Sequence, residues 1–287
     1  MPRYPPGVTR VTESLLRPAV CADTLDADPD LARWAALADW PVLPHDAFER
    51  AAVVLERDTQ GLWLVGREGS LRGRAQVNLV DGALGDRLRR GVSTKEALAR
   101  AVGARDGKRP AVVDLTLGWA RDTALLSTLG CRVHARERSP VMAALLEDGL
   151  ARAHREPRLR AVCERISWEF VQDDSALGFD APNPTMGAAP VLLMDPMFPG
   201  RESSALVRLP LRLAAAVVGA DLDATELLAA ALAAPAARVV VRRPRGSPAL
   251  QASRAPDLTV DGGRTTRFDV YLGRGGRGAV GDAPPTA

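Results

Sequence analysis

The sequence predicts an α/β chain built on a doubly wound, mostly parallel sheet. Three observations carry that expectation. Short apolar runs alternate with helical stretches, which favours parallel strands joined by crossover helices. Glycine and proline punctuate the ends of those runs. Successive runs close on acids or polar residues, namely Asp114, Glu137, then Asp173 and Asp174.

The first strand is Ala111-Val112-Val113-Asp114, followed by a turn through Gly118 and a helical stretch over residues 123–129. Such a strand-turn-helix brings backbone N–H groups close to a nucleotide-like ligand. The second strand spans residues 131–136, and Glu137 closes it about 20 residues after the first turn, where an acid can bind ribose hydroxyls. Ser139 then caps a helix running to about residue 152, with Pro140 at its first position. Trp168-Glu169-Phe170-Val171 forms the third strand and leads into Asp174 and Ser175. The fourth, Val191-Leu192-Leu193-Met194, is too short for a lone helix and lies between Pro190 and Pro196. Residues 238–241 supply a fifth, and residues 227–234 an apolar core helix.

Asp195-Pro196-Met197-Phe198-Pro199 follows the fourth strand. Ligands of open α/β sheets bind beyond the strands' carboxyl ends, so Asp195 is expected at the mouth of a site. An acid beside an aromatic can hold an amino group and grip a planar base, although five such residues also suit a plain turn. The full Gly-x-Gly-x-x-Gly set of a pyrophosphate site is missing from the first turn. An acidic rim fits a ligand with a positive sulfonium and an amino acid tail, which is S-adenosylmethionine.

Asp114-Leu115-Thr116-Leu117-Gly118-Trp119-Ala120-Arg121-Asp122, Glu137-Arg138-Ser139-Pro140-Val141 and Asp195-Pro196-Met197-Phe198-Pro199 together resemble the RsmJ family. Val218-Gly219-Ala220-Asp221-Leu222-Asp223 and Val239-Val240-Val241-Arg242-Arg243-Pro244 add to the resemblance, which covers residues 75–273. It implies a Rossmann-like class I S-adenosylmethionine-dependent methyltransferase. The implied reaction places a methyl group on the exocyclic N2 amine of a guanosine near the 3′ end of 16S ribosomal RNA. It also implies cofactor contacts from Arg121, Asp122, Glu137, Arg138, Asp174, Ser175 and Asp195, to which the strand-end reading adds Asp114 and Gly118. Without the resemblance, Arg121 and Asp122 read as first-turn helix charges and Asp174-Ser175 as a turn.

Ala120 stands where the family usually has a second glycine. Alanine disfavours positive φ, so the turn is expected either to use ordinary dihedrals or to hold its ligand further out. The loop from Asp86 to Glu96 keeps basic charge but few glycines. For the chemistry, Asp195 or the Pro196 carbonyl is expected to accept an N–H of the amine. Phe198 is expected to stack on the base, a contact worth about 1–3 kcal/mol. The candidate RNA-binding arginines are Arg201 and Arg243, the latter in Arg242-Arg243-Pro244-Arg245, with Arg87-Leu88-Arg89-Arg90 a further basic cluster, and each is more often solvated surface.

Lys+Arg 38 against Asp+Glu 35 gives a net charge of only +3, so RNA binding would rely on local patches. The three cysteines and three histidines lack metal-ligand spacing, which points to a reducing cytoplasm and no metal. No apolar run approaches the roughly 18 residues of a membrane span. The expected partner is small-subunit ribosomal RNA or the 30S subunit. Residues 1–30 read as loose, 31–100 as a small α+β subdomain with a hairpin across Asp58-Thr59-Gln60-Gly61, 101–273 as the methyltransferase domain and 274–287 as a disordered tail. Two alternatives remain: transfer to another amine, such as adenine N6 or a small molecule, and a catalytically weak ribosome-binding homologue.

Overall fold

The computed structural model describes residues 16–105, 107–171, 186, 189–197 and 209–273. The first elements are β1 (Val20–Cys21), α1 (Ala22–Ala27), α2 (Pro29–Ala38), β2 (Val42–Leu43) and α3 (His45–Phe48). Order therefore begins inside the segment expected to be loose, because Ala19 and Val20 are buried and β1 pairs in parallel with β2. Asp28 caps α2 by accepting the Leu31 N–H at 3.1 Å.

The hairpin forms as the alternating pattern predicts. Strands β3 (Val53–Asp58) and β4 (Gly61–Gly66) pair antiparallel, and β5 (Gly73–Ala75) adds a third strand. Gly61 has φ 124°, and a Cβ there would stand 2.6 Å from Asp148 Oδ2, so the turn needs glycine to lie against the helix carrying that aspartate. Helices α4 (Gly82–Arg90) and α5 (Ala97–Val102) lead into the main sheet.

That sheet is assembled from β6 (Val112–Asp114), α6 (Arg121–Thr128), β7 (Val133–Glu137), α7 (Pro140–Arg155), α8 (Arg160–Cys163), β8 (Ile166–Phe170), β9 (Val191–Met194), α9 (Leu209–Val218), α10 (Ala224–Ala233), β10 (Arg238–Pro244), β11 (Leu258–Asp261) and β12 (Thr266–Leu272). Its order is β11-β12-β10-β9-β6-β7-β8. The five strands from β10 to β8 are parallel, while β12 runs antiparallel between β10 and β11. Every residue of β6 and β9 is buried, as strands covered on both faces should be. The direction of winding reverses between β6 and β9, so their carboxyl ends open the crevice where ligands of such sheets bind.

One apolar core runs from Leu31, Leu62 and Leu64 in the N-terminal part to Val133, Leu145 and Leu146 in the main sheet and α7. A second core fills the opposite face around Leu192, Met194, Leu228 and Tyr271. Trp34 of α2 meets Phe170 of the edge strand β8 edge-to-face at 5.0 Å, which covers part of that edge. Ser139 caps α7 as expected, accepting the Met142 N–H at 3.4 Å.

Candidate active site

A cavity opens at the carboxyl ends of β6, β7 and β9, bounded also by the entrance of α10. Its walls mix apolar side chains (Leu115, Met142, Val171, Met197, Leu227) with Glu137, Arg138, Asp195, Asp221 and Asp223.

The turn after β6 forms the floor. Asp114 accepts the Thr116 N–H at 3.2 Å and the Thr123 hydroxyl at 2.6 Å, so both of its oxygens hold the turn together. Burial pushes its carboxyl up to about 6, and the neighbouring carboxylates of Asp122 and Glu137 add to the shift. Gly118 has φ 53°, and the space where a Cβ would project holds nothing closer than 3.9 Å. A ligand can therefore approach this backbone directly. Ala120 also adopts the left-handed region, with φ 56° and ψ 16°, and is fully buried. The expected ordinary dihedrals are not found: the surrounding packing holds an alanine in a glycine-like conformation, at a cost of about 1–2 kcal/mol.

Glu137 reaches back to this turn. Its Oε2 accepts the Gly118 N–H at 2.9 Å and its Oε1 the Ser139 N–H at 2.7 Å. Burial raises its carboxyl to about 7 against the pull of these backbone donors. A carboxylate has about four acceptor positions, and with the Arg138 backbone N–H as a third donor one remains for a ligand hydroxyl. Arg138 forks onto Asp221 (2.5 Å) and Asp223 (2.5 and 3.0 Å). Asp221 also accepts the Met197 N–H at 2.5 Å and donates its own N–H to the Met197 carbonyl at 2.8 Å. These contacts fix the segment after β9 to the start of α10.

Asp195 emerges directly after β9, and its N–H donates to Thr116 Oγ1 at 2.6 Å. The side chain is 45% exposed but sits in a concave mouth, so a small ligand reaches it while protein surrounds it. Desolvation by those walls pushes its carboxyl up to about 7, Arg242 opposes the shift, and Asp122 and Asp114 reinforce it. Arg242 donates from one nitrogen to Asp122 at 2.8 Å and to Asp195 at 3.1 Å.

The structure thus brings Gly118, Glu137, Arg138 and Asp195 to one mouth, with Asp114 and Asp122 just behind them, while Pro196 is buried and does not line it. Arg121 begins α6 and is exposed. Arg243 is not brought there. Strand alternation turns it to the opposite face of β10, where it is 6% exposed and donates to the Pro248 carbonyl at 2.7 Å. Asp174, Ser175, Phe198 and Arg201 lie outside the described residues. Thr116, Asp221 and Asp223 are the site residues that sequence reasoning left without a role, and Arg242, read there only as part of a basic cluster, reaches Asp195 instead. Asp221, Asp223 and Arg242 stand inside segments that carry the resemblance, but only tertiary structure shows where they point.

S-adenosylmethionine fits this donor set. The mouth carries more carboxylates than arginines, which suits a sulfonium. The first turn of α6 holds buried Asp122, which would repel a pyrophosphate from that helix N-terminus. Glu137 would hold the ribose hydroxyls, and Leu115, Met142 and Val171 provide apolar surface for an adenine. No group of three or more His, Cys, Asp or Glu side chains among the described residues is placed to hold a metal. No helix among them is long and apolar enough to cross a membrane.

Relatives agree with this reading. The family described as "Putative SAM-dependent methyltransferase" matches residues 37–273. The ribosomal RNA small subunit methyltransferase J of Pseudomonas aeruginosa (strain PAO1) is 40% identical over 262 residues, covering 90% of this chain and 95% of that protein. The chain belongs to the ribosomal RNA small subunit methyltransferase J family. The methyltransferase J of Thioalkalivibrio sulfidiphilus is 42% identical over 228 residues, covering 77% of this chain and 84% of that one. A SAM-dependent methyltransferase from Neisseria gonorrhoeae superposes with a TM-score of 0.65 at 27% identity, covering 92% of this chain and 99% of that one. Membership of the methyltransferase J family makes the sheet a Rossmann-like class I methyltransferase fold and the chain an S-adenosylmethionine-dependent enzyme.

Proposed function

We propose that this enzyme methylates the exocyclic N2 amine of a guanosine near the 3′ end of 16S ribosomal RNA. The observation that carries the proposal is Asp195, raised from β9 into the mouth of the cofactor cavity, in a chain 40% identical to a ribosomal RNA small subunit methyltransferase J. When bound, S-adenosylmethionine supplies an electrophilic methyl group.

The chain's own residues do the rest. The lone pair of a guanine amine is delocalised into the ring, so the amine must be held and turned. Asp195 accepts one of its N–H bonds, and the Pro196 carbonyl is a second acceptor. Alignment of this kind supplies several kcal/mol, up to roughly 7–11 in favourable intramolecular systems. The amine sheds a proton on methylation, and a carboxyl held at about 7 is suited to take it up near neutral pH. The target base leaves its stack to reach the mouth. Phe198, one residue beyond Met197, is placed by sequence to stack on it. Arg121, Asp122, Glu137, Arg138, Asp174 and Ser175 complete the proposed cofactor set, and Arg201 the RNA contacts. The substrate is small-subunit ribosomal RNA, free or within the 30S subunit, and the enzyme works in the cytoplasm.

Deleting the gene should remove one N2-methylguanosine from small-subunit RNA. Nucleoside mass spectrometry checks this, and an unchanged profile overturns the assignment.

A further inference from the structure

We propose that Arg242 is the positioning residue of this site, holding the Asp195 carboxylate charged and aligned toward the amine while anchored on Asp122. The inference rests on the reading of Asp195 as the residue that holds the amine.

Register places the arginine. Val241 of β10 lies opposite Met194 of β9, so the next residue on each strand meets across the mouth. One guanidinium nitrogen serves two carboxylates, Asp122 Oδ2 at 2.8 Å and Asp195 Oδ2 at 3.1 Å. Behind it stands the Phe268 ring of β12, with its centroid 5.4 Å from the guanidinium carbon. Arg242 Nε and Asp122 Oδ1 are both buried with no hydrogen-bond partner among the described residues. A structural arginine usually spends its fork bidentately on one carboxylate. This one forgoes that geometry and bridges the carboxylate that begins α6 to the one that ends β9. It occupies Asp195 Oδ2 and leaves Oδ1 for the N–H of the amine. Thr116 fixes the Asp195 backbone from the other side.

The charges around Asp195 come from three elements: Asp114 on β6, Asp122 on α6 and Arg242 on β10. Glu137 acts in turn on Asp114, and Arg121 and Arg87 on Asp122. Among the described residues, Arg242 is the cation that touches Asp195 directly. Without it, three crowded carboxyls relieve their repulsion by taking up a proton. A protonated Asp195 would offer a donor where the amine needs an acceptor.

The test titrates the Asp195 carboxyl by carbon NMR in the full-length, ligand-free protein, with Asp195→Asn to assign the resonance. Arg242→Gln should raise the midpoint by at least one pH unit, and Arg242→Lys should recover most of that shift. Asp122→Asn should lower the midpoint, and it still decides the question if the glutamine variant fails to fold. In methyl transfer, the acid limb of kcat should move with each midpoint. Arg242→Gln should lower kcat at pH 7 at least fivefold while the Kd for S-adenosylmethionine changes less than threefold. Unmoved midpoints overturn the proposal, as do moved midpoints with kcat unchanged at pH 7. A wild-type enzyme that methylates no ribosomal RNA would overturn the functional reading instead, and the titration would still decide whether Arg242 sets the charge of Asp195.

Discussion

Asp148, beneath the N-terminal hairpin, and Asp195, at the cavity mouth, are carboxylates treated in opposite ways. Asp148 receives Arg57 at 2.6 Å, Arg152 at 2.8 Å and the Leu62 N–H at 3.1 Å, and Arg57 also pairs with Asp28, so two cations serve two acids. At the mouth one arginine serves two acids, Asp122 and Asp195. The first arrangement welds the hairpin to α7. The second leaves an acid under-neutralised where an amine has to be held, the kind of imbalance that marks functional sites.

Breaking the mouth should affect rate rather than fold. Asp195→Ala is expected to lower kcat on the order of 10³-fold, within the range for a lost proton-handling group. Its Tm should stay the same or rise, because a crowded carboxylate is gone. Single-turnover methyl transfer and thermal melts check both halves, and near-normal turnover removes Asp195 from the mechanism. Breaking the weld should do the reverse. Asp148→Ala removes one partner each from Arg57, Arg152 and the Leu62 N–H, while Arg57 keeps Asp28 and Arg152 keeps the Val77 carbonyl, which should cost about 1.5–3 kcal/mol. Denaturant unfolding measures that loss, while kcat per folded molecule should stay within a factor of two.

A subtler separation comes from pH. Asp114 at about 6 and Glu137 at about 7 bind protons more tightly folded than unfolded. Their protonation therefore favours the folded state below about pH 4, the unfolded carboxyl range, and that stability is lost as pH rises through 6 to 7. Melts between pH 5 and pH 8 should show Tm falling, by roughly 4 kcal/mol of lost stability. A Tm that climbs across this interval would contradict the burial of these two acids. The smallest effect belongs to Ala120→Gly. Relief of positive-φ strain, about 1–2 kcal/mol, is set against a lost buried methyl worth about 0.8 kcal/mol. Tm should move by less than about 4 °C, and a larger drop would mean that packing, rather than strain, governs the turn.

Much of the scaffold was legible in the sequence. The strand Val191–Met194 is bounded by prolines, Ser139-Pro140 announces its helix, and acids mark the strand ends. These are local signals, read from neighbours in the chain. What escaped depends on contacts distant in sequence. Strand alternation says that Arg242 and Arg243 face opposite ways, but only the pairing of β10 with β9 decides which one meets Asp195. Asp114 looks like a ligand-binding strand end, yet it is buried behind the mouth, where it holds Thr116 and Thr123 of the turn. Ala120 argues locally against a left-handed turn, and tertiary packing overrides it.

The continuous core has a consequence for synthesis. Trp34 donates its indole N–H to Glu147, which is 113 residues further along the chain. At about 5–20 residues per second, the ribosome needs on the order of 10 s to make the partner after the tryptophan has been joined. Through that interval Leu31, Leu62 and Leu64 have no α7 to bury them. A nascent chain of this protein therefore carries uncovered apolar surface early in translation, and its hairpin gains that cover only when the helix that follows Glu137 arrives.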